Sequence, residues 1–556
     1  MRIKIIILNI LFSIGLTAQN LIVNGDFEGS NIADFANTLN LPDYLPRNSD
    51  VIMRSLNFRP KNSADTYNTF TAMDDFHVTR LEWVYATNLT NAGAIQKISQ
   101  VKAGGRFYGG TASNSGSLPN NYSCVNLNGD PVTWSHMRAW VPAIGVGCMN
   151  NPNYYQYQLN GWLTVFNQGA GSLQRDDPNQ AATIYTIGGC FCDYCMSKFS
   201  SWLDLNINKD SLLKCGVSDP ITFNYKNYLV ALGNVPVGDG FSSWNGDKIK
   251  PLFLQFQKES NINFLTNLKT EIQTTLNKTI NITGNNTSYQ YWTQPVYSFF
   301  DWGMSEMIVS TAKPEYIRER ALAALALSKK QVFSTPKFLT AGELSELARL
   351  RLNRNVISQT YACGGLTMVP WDVYEQTPSG NDRFFGLKQD YADLYGFVRG
   401  IAPYLEGYVE AAAFGKNMPL AIYQPNVFKN TLPDSVYAIV RVIPKSINSD
   451  VVIHFIDWRT IKSPFSVSLI KSNFFMGNSF GIKLLQPALY NETQHNLCET
   501  NAAAARPANE LFSAKQSSYY QPLVNTSTVI SSESNQTVTV NVPQLSPWGV
   551  LVIIKK

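Results

Sequence analysis

The sequence predicts an α/β chain: a (β/α)8 barrel of the TIM type followed by an antiparallel β-sandwich. Three observations predict it. Between residues 70 and 412, short apolar runs alternate with amphipathic stretches at helical spacing, the pattern of strands joined by crossover helices. Eight such runs can be counted, the number that closes a barrel. From about residue 415 the helical spacing stops and turn-separated apolar runs take over, as in an antiparallel β domain.

The elements follow in chain order. Residues 1–18 read as a secretory signal: Arg2 and Lys4 precede an apolar stretch from Ile5 to Leu16 that is too short to span a bilayer. Residues 19–69 read as a lead-in, with one strand and turn in Leu21–Glu28. The eight barrel strands are expected at Thr79–Tyr85, Arg106–Ala112, near Met137–Ile144, Ser172–Asp176, Thr279–Gly284, Phe299–Met304, Gln331–Phe338 and Gly365–Trp371. Helices are expected at 152–168, 195–206, 250–277, 314–328 and 342–359. Residues 413–556 form the sandwich, with strands at Ser435–Val442, Val451–Ile456, Phe465–Leu469, Thr537–Val542 and Trp548–Ile554. Asp457 reads there as a turn or surface residue.

Composition narrows the function. Of 556 residues, 44% are hydrophobic, enough for a sizeable core, and only 15% are charged. A net charge of +5 with no basic run excludes a nucleic-acid reader. Uncharged polar groups, 52 Asn among them, accompany 12% aromatic residues. That mixture suits an uncharged, hydroxyl-rich ligand such as a sugar; a biased base composition of the gene would give the same enrichment. No later stretch reaches 18 apolar residues, so no stable membrane anchor is expected and the location is secreted or periplasmic.

The most specific motif is Cys190-Phe-Cys-Asp-Tyr-Cys195, with Cys148 upstream. Three thiols within six residues cannot all pair with one another. Four thiolates around a tetrahedral metal satisfy Cys148, Cys190, Cys192 and Cys195 together. Two disulfides are the alternative in an exported protein, and Cys124 rivals Cys148 as the upstream partner. The motif and the helix-like Met196–Leu203 after it resemble family 42 glycoside hydrolases, the barrel β-galactosidases. That resemblance implies a structural zinc, no catalytic cofactor and a sugar substrate.

Glycoside cleavage needs two carboxylates flanking the bond. Upstream of the cysteines, Gly171–Pro178 runs a strand into Asp176 and Asp177, at the end of the fourth strand, the face where barrel active sites lie. A helix cap before Pro178 is the plain alternative. In family 42 the acid/base stands here within Asn-Glu; this chain has Asp-Asp, and Asp177 is nearest to the role, with Asp176 its substitute. For the second carboxylate, Glu306 follows the sixth strand between apolar runs, where a charge needs a reason. Glu343 follows the seventh strand, where family 42 would place its nucleophile, but it also suits an ordinary first helical turn. Sugar-binding groups are expected at other strand ends: Arg80, Trp83 and Tyr85, with Glu82 between them; Asn285 and Trp292; and Trp371. Core packing is the ordinary role of any one of these aromatics.

No H-x-x-x-H pair and no G-x-S-x-G elbow occur, which argues against a histidine-held hydrolytic metal and an esterase. The reading is an exported glycosidase acting on an oligo- or polysaccharide. A catalytically silent carbohydrate-binding barrel, or a polysaccharide lyase or transglycosylase, stands as the alternative.

Overall fold

The computed structural model describes residues 32–42, 44–54, 69–85, 91–112, 120–133, 145–175, 188–285, 294–335, 345–369, 386–418, 426–474, 479–505 and 514–556. The signal segment and the Leu21–Glu28 strand lie outside them.

Eight parallel strands close a barrel in sequence order. They are β1 Ile52–Arg54, β2 Arg80–Tyr85, β3 Phe107–Ala112, β4 Ser172–Arg175, β5 Asn281–Gly284, β6 Trp302–Ser305, β7 Gln331–Ser334 and β8 Leu366–Val369. β1 pairs with β2 on one side and with Met368 and Val369 of β8 on the other. This corrects the expected strand list. The first strand lies inside the stretch read as lead-in, and the run near Met137–Ile144 lies outside the described residues. Its flanks, Thr133 and Gly145, form an isolated antiparallel bridge in the long β3–β4 connection. Three residues of strand are too few to show a period, so a longer apolar run took the place of β1 in the count.

Helices cover the outside: α1 Thr69–Asp75, α2 Asn91–Ala103, α3 Pro152–Asn167, α4 Asp193–Asn206, α5 Lys250–Leu276, α6 Pro314–Ala326, α7 Glu346–Ala362 and α8 Lys388–Gly400. Local chemistry fixes their ends. Asn151 caps α3 by accepting from the Asn153 N–H, with Pro152 in the first turn. In α5, Phe253, Phe256, Phe264, Leu268 and Ile272 recur at helical spacing and are buried. The helix stops at Asn277 in the left-handed region.

Among the described residues the C-terminal part holds two antiparallel sheets. One has six strands: β9 Val409–Phe414, β10 Val436–Val442, β11 Val451–Asp457, β13 Phe480–Pro487, β14 Val524–Ser527 and β17 Trp548–Lys555. The other has three: β12 Phe465–Ile470, β15 Ile530–Glu533 and β16 Thr537–Val542. Ala438, Val440, Ile453, Val467, Val540 and Leu551 fill the core between the sheets. The opposite face of the larger sheet packs on the barrel. There Trp548 stacks on Tyr361 of α7 and meets Phe397 of α8 edge-on, 5.0 Å between centroids.

Two expectations for this part are corrected. A helix, α9 Glu492–Ala504, interrupts the strands. It is rich in Asn, Glu, Thr and Ala and lacks an apolar stripe, so no period marks it. Asp457 is wholly buried at the end of β11, where Arg459 holds it at 2.8 Å.

Candidate active site and thiol centre

The barrel pairing sorts side chains into inward and outward sets. A Cβ on Gly109 would strike the Ser172 hydroxyl and approach Glu82, whereas one on Gly110 would strike Val165 of α3. Gly109, Ser172 and Glu82 therefore face the interior, and alternation carries Gln174 with them. Arg175 is outward: it donates to Gln158 and to the Tyr154 hydroxyl on α3. Thr111, Gln174 and Thr283 are aligned across β3, β4 and β5. All three are buried, and the polar side-chain atoms of each lack a hydrogen-bond partner among the described residues. Sequence reading missed this row, because isolated Thr and Gln carry no motif.

At the C-terminal mouth, Glu306 follows β6 directly. Its carboxylate lies 3.2 Å from a guanidinium nitrogen of Arg54, the last residue of β1. The Arg54 guanidinium also lies over the Trp83 ring, 4.2 Å from its centroid. Trp83 has a φ of 55°, and the β2–β3 register shifts between Leu81 and Val84. The bulge inserts Trp83 as an extra residue and turns its ring beneath Arg54. At 3% exposure that ring backs the arginine and offers no open face. A positive φ at a tryptophan is uncommon and costs strain, the kind found where a site needs a side chain re-aimed.

Arg80 opens β2, at the strand end remote from the mouth. It donates to Glu82 at 2.6 Å and stacks over the Phe107 ring at 3.7 Å. Burial, opposed by the Arg80 charge, raises the Glu82 carboxyl above its usual range. Asn285 follows β5 and is buried, its N–H bonded to the Arg175 carbonyl at 2.9 Å. Asp176, Asp177, Trp292, Glu343 and Trp371 lie outside the described residues, as does the side chain of Tyr85.

The four cysteines of the motif converge. The sulfurs of Cys148, Cys190, Cys192 and Cys195 all lie within 4.8 Å of one another. Cys148 is 3.5 Å from both Cys192 and Cys195. All eight cysteines are free thiols. Four ligands at about 2.3 Å from a tetrahedral centre stand roughly 3.8 Å apart, so this spacing fits a metal. The Asn150 amide donates to Cys195 Sγ at 3.4 Å, and the Cys195 N–H points at Cys192 Sγ at 3.5 Å, contacts that favour thiolates. Hydrogen bonding, that with Cys124 foremost, lowers the Cys148 thiol to about 6, and Cys190 is likewise held well below its usual value, while bonding to Cys148 and Cys190 raises the Cys192 and Cys195 thiols. Cys124 itself is pushed well above its usual value, chiefly by burial. It stands outside the four-ligand set as a protonated neighbour.

Among the described residues no helix is long and apolar enough to cross a membrane. No protein-family model matches the chain. An alpha-agarase from Alteromonas agarilytica is 25% identical over 263 residues, which cover 42% of this chain and 17% of the agarase. The chain thus spans about a sixth of the length of that curated relative. Among solved structures, the alpha-amylase of H. orenii aligns with 91% of this chain and 99% of its own, at 10% identity and a TM-score of 0.45. A GH27 β-L-arabinopyranosidase from Geobacillus stearothermophilus aligns with 94% of this chain and 99% of its own, at 6% identity and a TM-score of 0.43.

Proposed function

We propose that this chain is a secreted glycoside hydrolase that cleaves a neutral polysaccharide at the barrel mouth. The observation that carries the reading is Glu306: an acidic side chain just past a barrel strand, held by an arginine that is itself stacked on a re-aimed tryptophan. The similarity to an alpha-agarase makes agarose the first substrate to try.

In this reading Glu306 is one of the two carboxylates that flank the scissile bond. Asp177 or Asp176, just beyond β4, supplies the other, and Glu343 is the remaining candidate. Because Ser172 and Gln174 are the inward residues of β4, Asp176→Asn is as informative a test as Asp177→Asn. Arg54 fixes the Glu306 carboxylate without touching the sugar. Thr111, Gln174 and Thr283 form a buried polar row beneath the mouth, out of reach of the substrate, whose groups bridging water would satisfy.

Cys148, Cys190, Cys192 and Cys195 would hold a zinc ion. Four thiolates leave no open position, so the metal supplies cross-linking of the β3–β4 and β4–β5 connections and no chemistry on substrate.

The test is release of reducing ends from agarose, starch and xylan by the wild-type chain and by Glu306→Gln, with folding checked by circular dichroism. Turnover by wild type and its loss in Glu306→Gln support the reading. Binding of a glycan without new reducing ends from any of them would make the chain a silent binding barrel.

A further inference from the structure

A groove of about 740 Å³ lies in the helical layer, between the segment entering α3, one face of α4 and the first half of α5. None of its lining residues belongs to a barrel strand, so it is distinct from the mouth. From α4 it receives Tyr194, Lys198, Trp202 and Leu205, spaced three or four residues apart on one helical face. From α5 it receives Glu259, Asn263 and Asn267, one per turn.

The chemistry of these walls is specific. Tyr194 is 44% exposed, and Trp202 and Tyr155 are half-buried. Asn263 and Asn267 are exposed, and their side-chain amides have no hydrogen-bond partner among the described residues. The Trp202 indole N–H already donates to Glu259 at 2.6 Å, so this residue offers its ring and not its donor. One cation, Lys198, and one anion, Glu259, balance. A neutral groove with aromatic rings on one wall and open amides on the other does not fit a polyanion, which needs net positive charge. Nor does it fit an apolar helix, which would leave those amides buried without partners. It does fit pyranose rings, whose C–H faces stack on aromatics and whose hydroxyls pair with amides.

We propose that this groove is a second carbohydrate-binding site, holding polysaccharide on the outside of the barrel while the mouth acts on it. Its wall is built on the thiol centre. Cys148 directly precedes Met149, Asn150 and Asn151 of the lining, and Tyr194 stands between Cys192 and Cys195. The Asn150 amide bridges Cys195 Sγ and the Ser260 hydroxyl of α5, at 3.4 and 3.3 Å. The ligand class rests on the glycosidase reading, and the experiment separates the two.

The experiment is native affinity electrophoresis through gels cast with agarose, starch or xylan, in a Glu306→Gln background that prevents cleavage. Tyr194→Ala removes the exposed ring; Asn263→Ala with Asn267→Ala removes the amides at two exposed positions should the first variant misfold. In the wild-type background, turnover is measured on polymer and on a short oligosaccharide. The expected result is retardation by one glycan, weakened about tenfold in either groove variant, the loss of one ring contact or one amide pair. Turnover of polymer should fall while that of the oligosaccharide holds. Retardation unchanged in both variants overturns the site and leaves binding to the mouth. Turnover by wild type with no retardation also overturns the site and keeps the glycosidase. Retardation that the groove variants abolish, with no turnover by wild type, supports the groove and removes the glycosidase reading. Neither retardation nor turnover overturns both.

Discussion

Arg54 and Glu306 meet across the barrel mouth, nitrogen to oxygen at 3.2 Å, although their strands are not neighbours: β7 and β8 lie between them around the wall. Both side chains are largely shielded, at 7% and 19% exposure. A pair this sheltered is costly to break, because removal of one partner strands the other's charge. The pair joins the end of a three-residue strand to the residue singled out for chemistry, so loss of either should be felt at the other.

Glu306→Gln should lower turnover of the polysaccharide by about a thousandfold, the scale of a lost acid or base. Arg54→Ala should cost less, about tenfold, by loosening the carboxylate. Arg54→Lys should recover part of that loss, keeping the charge without the planar stack on Trp83. The check is kcat against KM for the three variants. A larger loss in Arg54→Ala than in Glu306→Gln would move the chemistry to another residue.

The thiol centre should carry about one zinc per chain by elemental analysis, and Cys148→Ser should lose it. Chelation should lower the thermal midpoint by about 5 °C or more, since the energy of binding is folding energy. Turnover per folded molecule on a short oligosaccharide should not change. A rate that falls with metal while folding is intact would place the ion in the chemistry.

Acid should weaken the seam between barrel and C-terminal part. His77 lies within 3.0 Å of Glu499 and 2.8 Å of His495 on α9; Arg106 and the Tyr520 hydroxyl also reach Glu499, at 2.8 Å each. Burial, with His77 beside it, lowers His495 to about 3. The unfolded chain takes that proton near 6.5. A depressed folded value means the contribution is complete above about pH 6.5 and is lost as pH falls towards 3, by at most about 1.4 kcal/mol per unit. Unfolding free energies from urea titrations at pH 7.5 and 5 should therefore differ by up to about 2 kcal/mol more in wild type than in His495→Gln. Equal slopes in the two chains would refute the assignment.

Trp548→Ala should destabilise the chain by about 3–5 kcal/mol, because the indole is fully buried between α7 and α8 and donates to His454 Nδ1 at 3.2 Å. Chemical denaturation reads this directly. A near-neutral effect would mean that the two parts unfold independently.

What the sequence showed depended on length and repetition. The helix α5 could be read because its apolar residues recur over 27 positions, and β10, β11 and β17 because their apolar runs are long and bounded by turns. The position of Glu306 just past a barrel strand could be read because a charge beside apolar strand residues is conspicuous. Cys190–Cys195 could be read because thiol spacing is rare. β1 could not, since three residues carry no period, and with it went Arg54, which in Ile-Met-Arg looks like any strand end. The bulge at Trp83 was equally hidden: its φ of 55° reverses the alternation that the sequence implies. Gln174 became noticeable only once the register aligned it with Thr111 and Thr283.

The way β1 is held has a consequence for how the chain comes to be folded. Ile52 pairs with Met368, some 300 residues later, and the segment before β1 is tied to still later positions: Ser49 bonds to Glu406 at 2.6 Å, and its carbonyl accepts from Arg399, also at 2.6 Å. Closure must therefore wait until α8 has left the ribosome. Until then β1 presents an open edge on the side that β8 will cover, and contacts of such long sequence separation form slowly. A nascent chain in that condition is a natural client for a holding chaperone.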